Sequence, residues 1–197
     1  MDLTSEQVHW IGGLAFVLVI GALLAHQAGA WRARWIPWLL PVLLIGYGIE
    51  SGLDWWIHGE ARPEHYLPQA LQHVLQGSAM FLAGLVEAAR LRGRLQATAW
   101  GLVLPAALIT VGVAFWAHSQ HGAQVDPMVM MIQHRAFAVV LVVAAVMRAL
   151  EVLLRRRGAF EGAFLAPLLI FGALLVIYTE SSDMRGMHAA GQEMSPH

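Results

Sequence analysis

Six long apolar runs, separated by short polar stretches, make up most of the 197-residue chain. Several reach the roughly 18–20 residues that cross a hydrocarbon core of about 30 Å. The pattern predicts helices over about 8–28, 36–57, 66–90, 96–118, 127–154 and 163–181. Pro37 and Pro127 fall in first turns, where a missing N–H costs nothing. Pro41, Pro105 and Pro167 fall inside the second, fourth and sixth predicted helices, where neighbouring helices can tolerate them. The expected fold class is therefore an all-α integral membrane protein, a six-transmembrane-helix bundle. A single transmembrane domain is expected over 1–182, with a short polar tail over 183–197 that carries Met184, Met187, His188, Met194 and His197. Ala28-Gly29-Ala30 imitates a signal-peptide cleavage site, but the leader is acidic (Asp2, Glu6), so the first helix reads as a retained anchor.

Composition agrees with the pattern. The chain is 58% hydrophobic and 13% charged, about half the charge of a soluble domain. It has no cysteine, which excludes disulfides, thiolate metal sites and iron–sulfur clusters. All twelve basic residues are arginine, which excludes a lysine Schiff base, and no asparagine is present to accept an N-linked glycan. A net charge of −1 argues against nucleic acid as a partner.

Arginine placement sets the expected orientation. Nine of twelve lie near 32–34, 90–94 and 148–157, the side that becomes cytoplasmic by the positive-inside rule. With six helices both termini are then outside, N-out and C-out. Nine of the ten histidines and ten of the thirteen acids sort to the outer side or outer half. The positive-inside rule does not require that second asymmetry, so the outer face is where function is expected. The arginine-only, Ala/Leu/Gly/Trp-rich composition suggests a bacterial cytoplasmic (inner) membrane.

The candidate chemistry gathers around the polar turn from His118 to Asp126 and the helix after it. Ionisable groups inside a membrane are costly and face the bundle interior. Glu50, His73 and His134 each lie several residues in from a helix end, while His118 and Glu180 end helices and His121 lies in the turn. Imidazole and carboxylate are ligands for Zn²⁺, Cu²⁺ or Fe²⁺, and Met130 or Met131 would suit Cu⁺. The expected ligands are therefore His73, His134, His118, Glu50, Glu180 and His121, for zinc or copper. The competing reading is a hydrogen-bonded polar cluster without metal, with the methionines as packing. His73, Gly77, Met80, Gly84 and Glu87 share one helix face, as do His134, Ala138, Leu141, Ala145 and Arg148. Fourteen residues separate His73 from Glu87 and His134 from Arg148, so the two helices are expected to pair at both ends. Glu87 and Arg148 would form an ion pair extended by Arg90 and Glu151.

The same spacings carry a family resemblance. His9 precedes Gly12-Gly13, Glu50 follows a glycine-rich run, and Glu87 stands fourteen residues after His73. Phe115-Trp116-Ala117-His118 closes on histidine before the polar turn, and Glu151 within Leu150-Glu151-Val152 lies seventeen residues after His134. The chain resembles the transmembrane protein 45 family of polytopic membrane proteins over 9–21, 46–50, 73–87, 115–134 and 134–152. That family usually has seven helices rather than six, and its histidine spacing in the fourth loop differs. It has no established activity, so the resemblance implies site positions on the first five helices and no reaction.

Four functions compete. The first is a membrane-embedded metal-binding protein for copper or zinc handling, sensing or transfer. The second is a metal-dependent membrane hydrolase or oxidase acting on lipid, with Glu50 as general base, although no HExxH-type motif occurs. The third is a b-type haem protein with His73 and His134 as axial ligands. The fourth is a structural membrane subunit held by a polar cluster. The partners expected are the lipid bilayer and either a homo-oligomer or another membrane subunit.

Overall fold

The computed structural model describes residues 4–57, 63–117, 126–154 and 162–180. These residues are helical, with short turns. α1 spans Ser5–Gln27, a 3₁₀ turn Ile36–Trp38 leads into α2 Leu39–Ile57, and α3 spans Pro63–Leu91. One turn, α4 Thr98–Gly101, precedes α5 Val103–Ala117; α6 Pro127–Leu154 and α7 Leu165–Val176 follow.

Proline explains where three helices begin. Pro41, Pro105 and Pro167 were expected within helices; each is instead the third residue of its helix. A proline has no N–H for the carbonyl four residues back and its ring clashes with that carbonyl, so regular α-helix restarts just before it. This converts the start of the second span into a 3₁₀ turn and divides the fourth into α4 and α5.

Neighbouring helices run antiparallel and close a ring in the order α1, α2, α3, α5, α6, α7 and back to α1. The tightest crossings depend on glycine. A Cβ on Gly77 of α3 would lie 2.6 Å from Gly48 O of α2, and one on Gly13 of α1 would lie 2.7 Å from Gly172 O of α7. Bare backbone lets these helices meet at van der Waals distance. All six positions of the ring supply the core: Phe16 and Ile20, Leu44, Met80, Leu108 and Val111, Phe137 and Leu141, Leu168 and Phe171.

The outside of the ring is apolar too. Leu14 and Leu18, Val42, Leu75 and Leu82, Val113, Val139 and Val146, and Ile170 are exposed. A helix that is apolar all round is normally buried in protein or lipid. Five segments (Ser5–Gln27, Ile36–Leu53, Ala70–Leu91, Thr98–Ala117 and Pro127–Leu154) are long and apolar enough to cross a membrane, and Leu165–Val176 is a shorter apolar helix.

The last helix departs most from expectation. Its pattern predicts 163–181, yet α7 stops at Val176 and Tyr178–Glu180 leave the helix. Side chains and backbone from α1 and the start of α6 receive that segment, and they define the site.

Candidate functional site

Two helix starts build one end of the bundle. Thr4 caps α1 in a reciprocal box with Gln7, its hydroxyl accepting from Gln7 N at 3.2 Å while Thr4 N donates to Gln7 Oε1 at 3.0 Å. This fixes Glu6 in the first turn and His9 and Trp10 one turn on. Asp126 caps α6, its Oδ1 accepting from Met128 N at 2.9 Å and Val129 N at 3.3 Å. Met130, Gln133, His134 and Phe137 then follow at helical spacing toward the interior.

Residues 178–180 lie across these two starts. Trp10 Nε1 donates to Tyr178 O at 2.7 Å. Gln133 reads Thr179 from both sides: its Nε2 donates to Thr179 O at 2.7 Å and its Oε1 accepts from Thr179 N at 3.1 Å. Glu6 Oε1 accepts from Glu180 N at 2.8 Å and from Thr179 Oγ1 at 2.9 Å. Asp126 N donates to Glu180 O at 2.9 Å. These bonds replace the partners that continued helix would have supplied, which is how the chain can leave α7 early.

Tyr178 is the hub of the cluster. It is 1% exposed, stacks on His9 with ring centroids 4.0 Å apart, and its hydroxyl faces Met130 Sδ at 3.2 Å and Glu180 Oε1 at 3.3 Å. Burial, reinforced by the Glu180 carboxylate, pushes the phenol above its ordinary range, so the hydroxyl remains a donor. His134 is 3% exposed, with Nδ1 2.9 Å from Met130 O. A carbonyl only accepts, so Nδ1 carries a proton. Phe115, Phe137 and Tyr178 surround the ring, with centroids 5.5, 5.6 and 6.0 Å away.

The expected zinc or copper site is overturned. Among the described residues no three His, Asp or Glu side chains converge as a metal would require. α5 packs against both α3, which carries His73, and α6, which carries His134, and no third ligand joins those two helices among the described residues. His134 is enclosed by aromatic rings, Met130 sulfur faces the Tyr178 hydroxyl, and the Glu180 carboxylate faces that same hydroxyl. Glu50 sits half-buried on α2, and the adjacent Ser51 Oγ donates to His73 O at 3.3 Å. His118 and His121 lie outside the described residues. The copper- or zinc-handling function fails on this geometry, and so does the hydrolase variant that used the same ligands. The haem variant used His134 as an axial ligand, and that ring packs among Phe115, Phe137 and Tyr178.

The opposite end holds an ion-pair network. Arg148 Nη2 approaches Glu87 Oε2 at 3.2 Å and Nη1 approaches Glu151 Oε1 at 2.9 Å, while Arg90 Nε is 3.9 Å from Glu87 Oε1. The Arg148 guanidinium also covers the Phe164 ring at 4.8 Å. The four residues meet here although their helices do not run as a tight pair. A long arginine side chain spans the gap at the rim of the ring.

Sequence reasoning missed Glu6, Trp10, Gln133 and Tyr178. The available signal was the break of an apolar run at Tyr178-Thr179-Glu180, which reads equally well as the last turn of a helix. Comparison with protein-family models, curated proteins and solved structures finds no match to this chain.

Proposed function

We propose that the chain is a structural subunit of a bacterial cytoplasmic membrane, spanning it six times with both termini outside. The observation that carries this reading is the distribution of polarity. Polar side chains that bond between helices gather at the two ends of the ring, Glu6, Trp10 and Gln133 at one and Glu87, Arg148 and Glu151 at the other. Between the ends, the inner and outer faces of the helices are mostly apolar, with Ser51, Gln76 and His134 as buried polar exceptions. In hydrocarbon an unpaired backbone group costs several kcal/mol, so the outer cluster's role is to close the bundle where α7 ends short. The likeness to transmembrane protein 45 proteins, confined to the first five helices, fits a polytopic protein and adds no reaction.

The absence of cysteine makes the test direct. Single substitutions Gly122→Cys and Ser182→Cys should react with a membrane-impermeant maleimide in intact cells. Arg94→Cys and Arg156→Cys should react only after the membrane is opened. Labelling of all four without permeabilisation, or release of the protein by alkaline carbonate, would overturn the six-span reading.

A further inference from the structure

The arginine-rich end has more positive charge than its own carboxylates balance. Two ordered loops lie there: 28–35, which leads from α1 into the 3₁₀ turn, and 92–97, which leads from α3 to α4. Arg32, Arg34, Arg92 and Arg94 on these loops are all exposed. No Asp or Glu occurs between Glu6 and Glu50 or between Glu87 and Asp126, so neither loop has an acid of its own. Glu87 and Glu151, the described carboxylates at this end, pair with Arg148 and Arg90.

The loops are held in shape. His26 Nδ1 lies 2.6 Å from Trp31 O, Arg32 Nε donates to Gly29 O at 3.3 Å, and Gln96 Nε2 donates to both Arg90 O and Arg94 O at 2.8 Å. Arg92 stacks over Trp38 at 5.2 Å and so joins the 92–97 loop to the 3₁₀ turn that follows the other. Beside the arginines stand exposed indoles: Trp31 and Trp35, paired edge-to-face at 5.5 Å, and Trp100. Indole favours the level between hydrocarbon and water, and guanidinium presents a planar fork that matches phosphate oxygens. Ordered loops also lose less entropy when a ligand is held.

We propose that this end of the bundle binds the phosphate of anionic phospholipid headgroups, with Arg32, Arg34, Arg92 and Arg94 as the phosphate contacts and Trp31, Trp35 and Trp100 seated at the level of the lipid glycerol. The proposal rests on the six-span reading above and names the lipid that reading would place there. A nucleic acid or acidic protein would meet the same charge, but the exposed indoles lie in the loop and short turn that connect helices whose outer faces carry exposed Leu18, Val42 and Leu82, which favours lipid.

The full chain, purified in a neutral detergent and stripped of lipid, is offered equimolar phosphatidylglycerol and phosphatidylcholine, and retained lipid is counted by native mass spectrometry. Each arginine near a membrane surface is worth roughly fivefold in affinity for anionic lipid. The wild type should therefore prefer phosphatidylglycerol by about tenfold or more. The fourfold variant Arg32→Gln, Arg34→Gln, Arg92→Gln, Arg94→Gln should bring the preference near unity. If that variant fails to fold, the wild type in rising salt provides the second measurement, because screening should erase the preference as the Debye length falls to about 3 Å near 1 M salt. Equal retention of the two lipids by the wild type, or a preference that survives in the folded variant or in high salt, overturns the lipid site. Cysteine labelling that still shows six spans would then leave the membrane reading intact, whereas loss of sidedness in that labelling would remove both.

Discussion

Gln133 shows how much one polar side chain can decide. It precedes the histidine that attracts attention in the sequence, yet its amide bonds both the N–H and the carbonyl of Thr179. Gln133→Leu keeps the volume and removes both bonds, leaving backbone groups to find partners in apolar surroundings. The expected loss is about 1–3 kcal/mol, read as a lower thermal midpoint in micelles with faster exchange of the Thr179 amide. Unchanged exchange would mean that other partners already suffice. Glu6 differs because one carboxylate oxygen serves Thr179 and Glu180 together, so α1 and the end of α7 depend on the same atom.

At the level of helix pairs, approach distance sets what is tolerated. A Cβ at Gly77 would meet Gly48 O and Gly52 N, both at 2.6 Å, and backbone cannot rotate aside as a side chain can. Gly77→Ala should force α2 and α3 apart at a cost of about 1–3 kcal/mol. Gly46→Ala, on the same α2 but with nothing within 4 Å of its Cβ, should cost nothing. Comparing the two unfolding curves separates close packing from any general effect of glycine in a helix; equal midpoints would refute the packing account.

Across the whole bundle, Arg148 links two helices that are not ring neighbours. Glu87 and Glu151 side chains, 9% and 15% exposed, both depend on it. Arg148→Met should destabilise by about 3–5 kcal/mol, because it leaves two nearly buried carboxylates without their main cation. Adding Glu87→Gln and Glu151→Gln to the same chain should recover most of the loss, since the charges to be desolvated disappear with the pair. Unfolding in a denaturing detergent measures all three proteins, and a triple variant no better than Arg148→Met would contradict this.

The number of apolar helices, their places in the chain and the start of α6 at Pro127 were legible in the sequence because each follows from local chemistry. Apolar length, proline and an N-cap act within a few residues of themselves. α6 accordingly spans the predicted Pro127–Leu154. The arrangement of the site was not legible. His73 and His134 share a depth and a favourable face, but periodicity alone cannot say whether a third ligand joins them, and among the described residues none does. Depth along a helix says nothing about which helix lies beside it. The closure of the ring through α1 and α7 put α5 in packing contact with both their helices and enclosed His134 in aromatic rings. The same closure brought Glu6 and Trp10, from the first turns of the chain, to residues 178–180, where their hydrogen bonds outweighed the local preference of an apolar run to remain helical. Only tertiary contact could decide that, because the groups satisfying the backbone are more than 160 residues away in sequence.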